Sequence, residues 1–322
     1  MSEVVGPDGP GIARAAAALK AGRLVVFPTE TVYGLGADAL RPDAIARIFE
    51  AKGRPQDNPL IVHVHDVGAA RALCKGWTEE AGLLATAFWP GPLTMVLPRG
   101  EDVPDATTAG LDSIALRVPA HPIARELLER AGLAVAAPSA NRSGRPSPTR
   151  VQDARADLGD AVDVYVDGGP AFLGLESTVI SLIGAPVVLR QGGIPIEWLR
   201  EVLPEVTLAT QAQELARSPG TRHRHYAPQA HVHLVSAEDV EPRARELQAQ
   251  GRKVAIIASS ESGIAGARVP GGRAEAGLWA QALFALLRDL DAEGAQDVVV
   301  EQIPEEGLGA AVMDRLRRAA KR

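Results

Sequence analysis

The feature that most constrains the fold is the alternation of short apolar runs with helix-forming stretches, each bounded by glycine or proline. An Ala-rich stretch from Ile12 to Lys20 predicts a helix ending near Gly22, and the run from Leu24 to Phe27 predicts a buried strand. A capping box of Thr149 and Gln152 predicts another helix start. Further strands are predicted over residues 60–64, 114–118, 133–137, 162–166, 178–183 and 186–190, and further helices from Pro42 and Pro122. The pattern predicts a mixed α/β layer fold without giving the strand order.

The chain has 322 residues, which favours two domains over one. Residues 1–205 carry the alternation just described. Residues 206–229 have weak periodicity and include Ser218-Pro219-Gly220, so they are interpreted as a linker. Residues 230–322 form a second, smaller α/β unit, with strands predicted near 231–235, 253–258 and 297–300 and a long helix over 276–290.

Composition and charge narrow the function classes. Hydrophobic residues make up 46% and charged residues 23%, as in soluble globular proteins, and the net charge is −6. Because whole-surface nucleic-acid binding needs a positive surface, at most a weak, local contact with nucleic acid is expected. No signal peptide and no apolar run of about 20 residues is found, so we expect a cytoplasmic protein without a membrane partner. The one cysteine, Cys74, favours a reducing compartment and is expected to be a small buried residue.

Four polar clusters interrupt the predicted core. Residues 28–36 (Pro-Thr-Glu-Thr-Val-Tyr-Gly-Leu-Gly) form a loop after a buried strand, where two hydroxyls can meet a ligand or simply make a turn. Lys52-Gly53-Arg54-Pro55 follows a helix end and can hold phosphates, or only place cations at a helix C-terminus. Residues 138–149 join three serines, an asparagine and two arginines ahead of a predicted helix. That is an anion site without Walker spacing. Glu176-Ser177-Thr178 belongs with Arg190 in the fourth cluster.

Two isolated features leave alternatives open. Arg117 stands in an otherwise apolar strand and needs an anionic partner, either a protein carboxylate or a substrate carboxylate. His231-x-His233 has the spacing of a zinc pair on a strand. It lacks cysteines or a third spaced ligand, so partly exposed polar positions are the better interpretation and no metal site is predicted.

Taken together, these motifs resemble the threonylcarbamoyl-AMP synthase family, which is YrdC-like, in its longer two-domain form. The resemblance also includes Asn58 through His63 and Ser218-Pro219-Gly220 through His225-Tyr226-Ala227-Pro228. It implies a twisted mixed sheet with helices enclosing a large basic cavity, and a Rossmann-like C-terminal domain. The linker is implied to be a lid, although Thr221 and His223 depart from the residues usual there.

The resemblance also implies site residues. Lys52 and Arg54 would be catalytic cations. L-threonine would be held by Thr31, His63, Arg117 and Ser177. ATP would be surrounded by Arg54, Asn58, Ser113, Ser139, Asn141, Ser147, Arg190 and Tyr226.

The implied reaction joins ATP, L-threonine and bicarbonate into threonylcarbamoyl-adenylate for tRNA modification next to the anticodon, and releases pyrophosphate. Magnesium would arrive with ATP, no organic cofactor is implied, and downstream tRNA threonylcarbamoyl-transfer proteins would take the product. The alternatives are an RNA-binding module, disfavoured by acidic charge and few aromatics, and carbamoyl-adenylate chemistry with another acceptor. The latter enzymes usually bring cysteine-rich or acylphosphatase-like segments, which are absent from this sequence.

Overall fold

A computed structural model describes residues 2–210 and 226–321. From residue 2 to residue 210, the fold is built on one long mixed sheet. In chain order its strands are β1 (Glu3–Val5), β2 (Val25–Phe27), β3 (Gly34–Asp38), β4 (Ile61–His63), β5 (Leu93–Pro98), β6 (Ser113–Arg117), β7 (Val135–Ala136), β8 (Val164–Val166), β9 (Thr178–Ser181), β10 (Val187–Arg190) and β11 (Thr207–Leu208). Within these residues the spatial order is β1-β8-β2-β3-β7-β4-β6-β5-β9-β10-β11. The sheet contains both parallel pairs, such as β4 with β6, and antiparallel pairs, such as β2 with β3.

Helices cover both faces of this sheet. They are α1 (Gly9–Lys20), α2 (Pro42–Lys52), α3 (Val67–Ala72), α4 (Glu79–Phe88), α5 (Asp105–Thr108), α6 (Pro122–Ala131), α7 (Val151–Leu158) and α8 (Ile196–Val202), with a 3₁₀ turn at Gly159–Ala161. Strand β2 shows why two cores arise. Val25 and Phe27 pack with α1 and α6, whereas Val26 packs with α2, because successive strand side chains point to opposite faces.

The second unit, from residue 230, contains β12 (His231–Val235), β13 (Val254–Ile257) and β14 (Asp297–Glu301). Among the described residues these strands form a parallel sheet in the order β12-β14-β13. Its helices are α9 (Val240–Ala249), α10 (Ala276–Ala292) and α11 (Leu308–Ala320), with 3₁₀ turns at Ala237–Asp239 and Ser260–Ser262. The predicted strands and helices of this unit are confirmed.

The C-terminal unit is packed directly on the larger one. Val32 and Leu175, from loops of the large sheet, lie in the same apolar cluster as Phe284 of α10. Arg288 of α10 adds an ion pair, with Nη2 2.8 Å from the Asp157 carboxylate, whose side chain is fully buried. The two units therefore share a continuous apolar and charged contact.

Two predictions about local structure are wrong. The Thr149–Gln152 capping box does not open α7, which begins at Val151 after Arg150 without a side-chain cap. The Thr149 carbonyl instead accepts a hydrogen bond from the Ala171 amide, which holds Thr149 in the preceding loop. Residues 34–36, which were predicted as loop, instead begin strand β3. This strand follows β2 after a short connection and pairs with it in antiparallel orientation.

The linker prediction is only partly covered by the structure. Thr207–Leu208, at the start of the predicted linker, pairs parallel with β10 at the edge of the large sheet. Ser218-Pro219-Gly220, Thr221 and His223 lie outside the described residues. In the described part of the chain, no helix is long and apolar enough to cross a membrane.

Candidate active site

A pocket opens where several strands of the large sheet end. Its wall is formed by the β2–β3 connection, the end of α2, strands β4 and β6, the segment after β7, and the segments that flank β9 and β10. The lining residues are Thr29, Thr31, Val32, Gly34, Arg54, Pro59, Leu60, Ile61, His63, Arg117, Ala137, Pro138, Ser139, Glu176, Ser177, Arg190 and Tyr226. The fold thus brings the four polar clusters of the sequence to one place.

Three arginines give the pocket its charge. Arg117 and Arg190 are the last residues of β6 and β10, and Arg54 follows the left-handed Gly53 (φ 57°) that ends α2. Burial lowers the pKa of Arg54 to about 10, and burial also lowers the pKa of Arg190. Both guanidinium groups remain charged near neutral pH, so the pocket suits an anionic ligand.

The partner of Arg117 is a protein carboxylate. Its Nη2 lies 2.6 Å from Glu30 Oε1, and the two side chains are only 4% and 12% exposed. Burial alone would raise the pKa of Glu30, but the charge and hydrogen bond of Arg117 hold that pKa below its usual range. Arg117 Nε also donates to the Gly91 carbonyl at 3.2 Å. This resolves the alternative left open by the sequence in favour of an internal ion pair that borders the pocket.

His63 is buried at the end of β4 beside Arg117, its register partner on β6. Burial and the positive charge of Arg117 lower the pKa of His63 to about 3, so its ring is neutral at physiological pH. Its Nδ1 has no hydrogen-bond partner within the described protein, and neither does Nε of Arg54. Both residues line the pocket, and a buried polar atom without a protein partner is a group that a bound ligand or an ordered water can satisfy.

Hydroxyl groups complete the wall and are held in place by their neighbours. Thr31 Oγ1 lies 2.7 Å from Thr29 Oγ1, and Thr29 in turn donates to the Val32 carbonyl at 2.6 Å. Ser177 Oγ lies 2.7 Å from the buried Thr94 hydroxyl and accepts from Arg190 Nη2 at 3.2 Å. The predicted threonine-site residues Thr31, His63, Arg117 and Ser177 all line the pocket.

Other predicted site residues lie behind the wall. Lys52 is 2% exposed, and its Nζ donates to the carbonyls of Ser139 and Asn141, each at 2.5 Å. Burial, reinforced by the charge of Arg54, lowers the pKa of Lys52 well below its usual value. Asn58 is also fully buried outside the lining. Lys52 therefore fixes the loop that carries Ser139 and does not border the pocket itself.

The loop after β7 is braced in the same way. Asn141 Oδ1 accepts from Ser139 Oγ at 2.5 Å, and Asn141 Nδ2 donates to the carbonyls of Arg142 and Arg145. Ser147 Oγ donates to Glu176 Oε1 at 2.5 Å. Ser113, the first residue of β6, is buried in the sheet opposite Pro98 and does not line the pocket. Of the predicted ATP-site residues, the structure brings Arg54, Ser139, Arg190 and Tyr226 to the wall.

Sequence reasoning missed three charged residues. Glu30 was seen only as part of a motif, although a carboxylate beside two threonines was a candidate partner for Arg117. Glu176 was named without a role, yet it lines the pocket. Arg315 of α11 is 1% exposed and pairs with Glu176. Arg315 lies four residues from Ala311 and from Ala319, and this spacing places it on the buried apolar face of α11. An arginine on such a face was the sequence signal for a buried charge with a partner.

In residues 2–210 and 226–321, no group of three or more His, Cys, Asp or Glu side chains is placed to hold a metal ion. His233, one of the two histidines with the spacing of a zinc pair, lies 2.8 Å from Asp297 Oδ1 through its Nε2. The pocket carboxylate Glu176 is already bonded to Ser147 and Arg315.

Comparison with known proteins agrees with this arrangement. The family model described as "Telomere recombination" matches residues 17–192, and that of the "Threonylcarbamoyl-AMP synthase, C-terminal domain" matches residues 194–321. Threonylcarbamoyl-AMP synthase of Pyrococcus abyssi is 44% identical, covering 95% of this chain and 93% of its own. The Bacillus subtilis enzyme is 40% identical, covering 99% of this chain and 96% of its own.

A solved structure is equally similar. The crystal structure of P. abyssi Sua5 complexed with L-threonine has a TM-score of 0.94 and 42% identity. The match covers 99% of this chain and 97% of that chain. These matches extend over both units, and the chain belongs to the threonylcarbamoyl-AMP synthase family.

Proposed function

We propose that the arginine-lined pocket is where this chain joins L-threonine, bicarbonate and ATP into threonylcarbamoyl-AMP for tRNA modification. The observation that carries the proposal is a wall with three buried arginines and two buried polar atoms of lining residues, Arg54 Nε and His63 Nδ1, that have no partner in the described protein. Such a wall is costly unless an anionic, hydrogen-bonding ligand completes it. The relatives named above supply the identity of that ligand by analogy.

The lining residues fall into two groups, one proposed to bind L-threonine and the other proposed to bind ATP. Thr31, His63, Arg117 and Ser177 are proposed to hold L-threonine, and the P. abyssi structure with bound threonine supports threonine as the substrate. Neutral His63 can accept a hydrogen bond from an ammonium or hydroxyl group, or donate one to a carboxylate. Glu30 holds the Arg117 guanidinium in place, and the remaining N–H donors of Arg117 can bind a substrate carboxylate.

ATP is proposed to lie against Arg54, Ser139, Arg190 and Tyr226. In the reaction, the amine of threonine and bicarbonate give a carbamate with loss of water, and a carbamate oxygen attacks the α-phosphorus of ATP. The bond from that phosphorus to the bridging oxygen breaks, and pyrophosphate leaves. The substrate supplies the nucleophile, so the protein's contribution is alignment and neutralisation of the phosphate charge.

Magnesium is proposed to enter as part of the ATP substrate. Since Glu176 is engaged by Ser147 and Arg315, phosphate oxygens and water are the expected ligands, as is usual for Mg²⁺ on nucleotides. Lys52, Asn58, Ser113, Asn141 and Ser147 are proposed to support this site: Lys52, Asn141 and Ser147 bond to segments of the wall, and Asn58 and Ser113 are buried beside it.

Several broader features belong to the same proposal. We interpret the pocket as part of a large basic cavity enclosed by the mixed sheet, and the parallel C-terminal sheet as Rossmann-like, in line with its β12-β14-β13 order. The division at residues 1–205, 206–229 and 230–322, the lid role of the linker, and a cytoplasmic location with transfer of the product to tRNA-modifying proteins remain predictions.

The decisive assay is pyrophosphate release from ATP with L-threonine and bicarbonate omitted in turn. Release should require both and should fall sharply when serine replaces threonine. Arg54→Ala should lower the rate by roughly 100-fold or more, as expected for loss of one preorganised charge at a phosphoryl transition state. Arg125→Ala, which removes an exposed arginine of α6, is the matched control and should leave the rate unchanged. ATP hydrolysis indifferent to both co-substrates would refute the proposal, and salt-sensitive RNA binding without ATP would then favour an RNA-binding module.

A further inference from the structure

The C-terminal unit contributes a buried guanidinium to the back of the pocket wall. Arg315 of α11 is 1% exposed and does not line the pocket. Its Nε donates to Glu176 Oε2 at 2.9 Å, and its Nη2 donates to the Gln191 carbonyl at 2.9 Å. Its guanidinium carbon also lies 5.1 Å from the centre of the Tyr226 ring. One side chain of the second unit thus contacts three segments that form the wall.

Each of these contacts controls a group at the proposed ATP site. Glu176 is a carboxylate of the wall whose other oxygen accepts from Ser147, so Arg315 supplies the remaining charge-assisted bond. Gln191 directly follows Arg190, and Arg190 Nη2 donates to the Ser177 carbonyl at 2.9 Å. Close packing leaves little freedom here, since a Cβ on Gly192 would lie 2.4 Å from the Glu176 carbonyl.

Tyr226 needs external support of the same kind. Its backbone has φ 67°, the left-handed region that a tyrosine rarely adopts and that has to be stabilised by surrounding contacts. The ring stacks on Phe284 of α10, with centroids 5.4 Å apart and planes at 24°. Arg315 lies against the same ring. Phe284 and Arg315, which both contact Tyr226, belong to the C-terminal unit, although Tyr226 lines the pocket of the first unit.

We infer that Arg315 is a positioning residue for ATP binding, acting through Glu176 and Tyr226, and that the C-terminal unit is in this way part of the active site. The inference rests on the proposed function for the identity of the ligand. Without the guanidinium, the Glu176 carboxylate would face bound phosphates without its charge-assisted bond, and Tyr226 would lose its cation–π contact. ATP should then bind more weakly.

The matched comparison uses another ion pair between the two units. Arg150 Nη2 lies 2.6 Å from Asp289 Oδ1 of α10, with side chains 34% and 46% exposed, and neither residue lines the pocket. Asp289→Asn therefore weakens the junction without touching the wall. A merely structural role for Arg315 would make Arg315→Met and Asp289→Asn differ in stability but not in their affinity for ATP.

The test measures the ATP dissociation constant of the full chain by calorimetry, beside KM and kcat for pyrophosphate release. Arg315→Met should raise the dissociation constant and the KM for ATP by about tenfold or more, Arg315→Lys should recover part of the loss, and Asp289→Asn should change neither. Adding Glu176→Gln to Arg315→Met should worsen binding less than the single changes multiplied together, because the pair acts as one unit.

Two results overturn the inference. One is wild-type ATP affinity in a folded Arg315→Met variant. The other is a double variant whose loss equals the product of the single losses. If Arg315→Met does not fold, Arg315→Lys and the uncharged Glu176→Gln/Arg315→Met pair decide the matter by the same measurements. A wild-type chain that binds ATP but releases no pyrophosphate refutes the proposed reaction while leaving the affinity comparison intact.

Discussion

Replacing Glu30 by Gln keeps the shape of the side chain and removes the charge that neutralises Arg117. The pair is separated by 2.6 Å and its side chains are 4% and 12% exposed, so solvent cannot compensate the remaining guanidinium. Removing one partner of a buried ion pair costs roughly 3–5 kcal/mol. Because Arg117 keeps its hydrogen bond to the Gly91 carbonyl, we expect a loss at the low end of this range, about 3 kcal/mol. Urea unfolding of the ligand-free chain at pH 7, followed by circular dichroism, measures it.

The pH dependence of that loss follows from the same pair. The folded-state pKa of Glu30 lies below its ordinary value of 4.5, so the pair stabilises the chain above that pH and loses its contribution as acid protonates the folded carboxylate. The difference between wild type and Glu30→Gln should therefore shrink as the pH falls below about 4.5.

The exposed pair of Glu126 with Arg130 on α6 serves as the matched control, and Glu126→Gln should cost less than about 0.5 kcal/mol. Glu30→Gln combined with Arg117→Met should be more stable than Glu30→Gln alone, because the unpaired charge has gone. The reasoning fails if Glu30→Gln is as stable as wild type, or if the double variant is less stable than the single one.

Two further predictions concern residues inside the wall. Lys52→Met should lower pyrophosphate release by releasing the loop held through the carbonyls of Ser139 and Asn141, and faster amide hydrogen exchange of that loop would accompany it. A slow variant with unchanged exchange would instead indicate direct contact with substrate. His63→Gln should reduce the loss of stability at acid pH. The pKa of His63 in the folded chain is about 3, so between about pH 6.5 and 3 the unfolded chain binds a proton that the folded chain does not. The free energy of unfolding of the wild type therefore falls by up to about 1.4 kcal/mol per pH unit in this range. Equal slopes of unfolding free energy against pH for the two proteins would contradict the low pKa.

Much of the fold was predictable because its signals are local. The glycine that ends α6, the proline that begins it and the apolar run of β6 each act within a few residues, and the structure has each element in place. Strand β3 was missed because Gly34 and Gly36 have low strand propensity. The structure explains the glycine: a Cβ on Gly36 would lie 2.8 Å from the Phe27 ring and 2.9 Å from Val135. Gly36 of this strand is therefore explained by close packing against neighbouring strands, and a single sequence does not show such packing.

The site divides along the same line. The motifs that carry the resemblance placed Arg54, His63 and Ser139 in one site, and these residues do line one pocket. The motifs could not tell contact from support. Lys52 and Asn141 stand in the same motifs as lining residues, yet their polar groups point at backbone of the wall. That distinction depends on side-chain direction and burial.

Support of this kind has a physical reason in a pocket that gathers like charges. Arg54, Arg117 and Arg190 repel one another in a low-dielectric wall, and fixed partners are needed to offset that repulsion when no anionic ligand is bound. The structure answers with internal carboxylates and carbonyls: Glu30 neutralises Arg117, the Ser177 carbonyl accepts from Arg190, and the Pro59 carbonyl accepts from Arg54 at 3.1 Å. When the residues of the wall are ordered before the substrate binds, less binding energy is lost in ordering them. The buried residues around the pocket therefore bear on turnover as well as on stability.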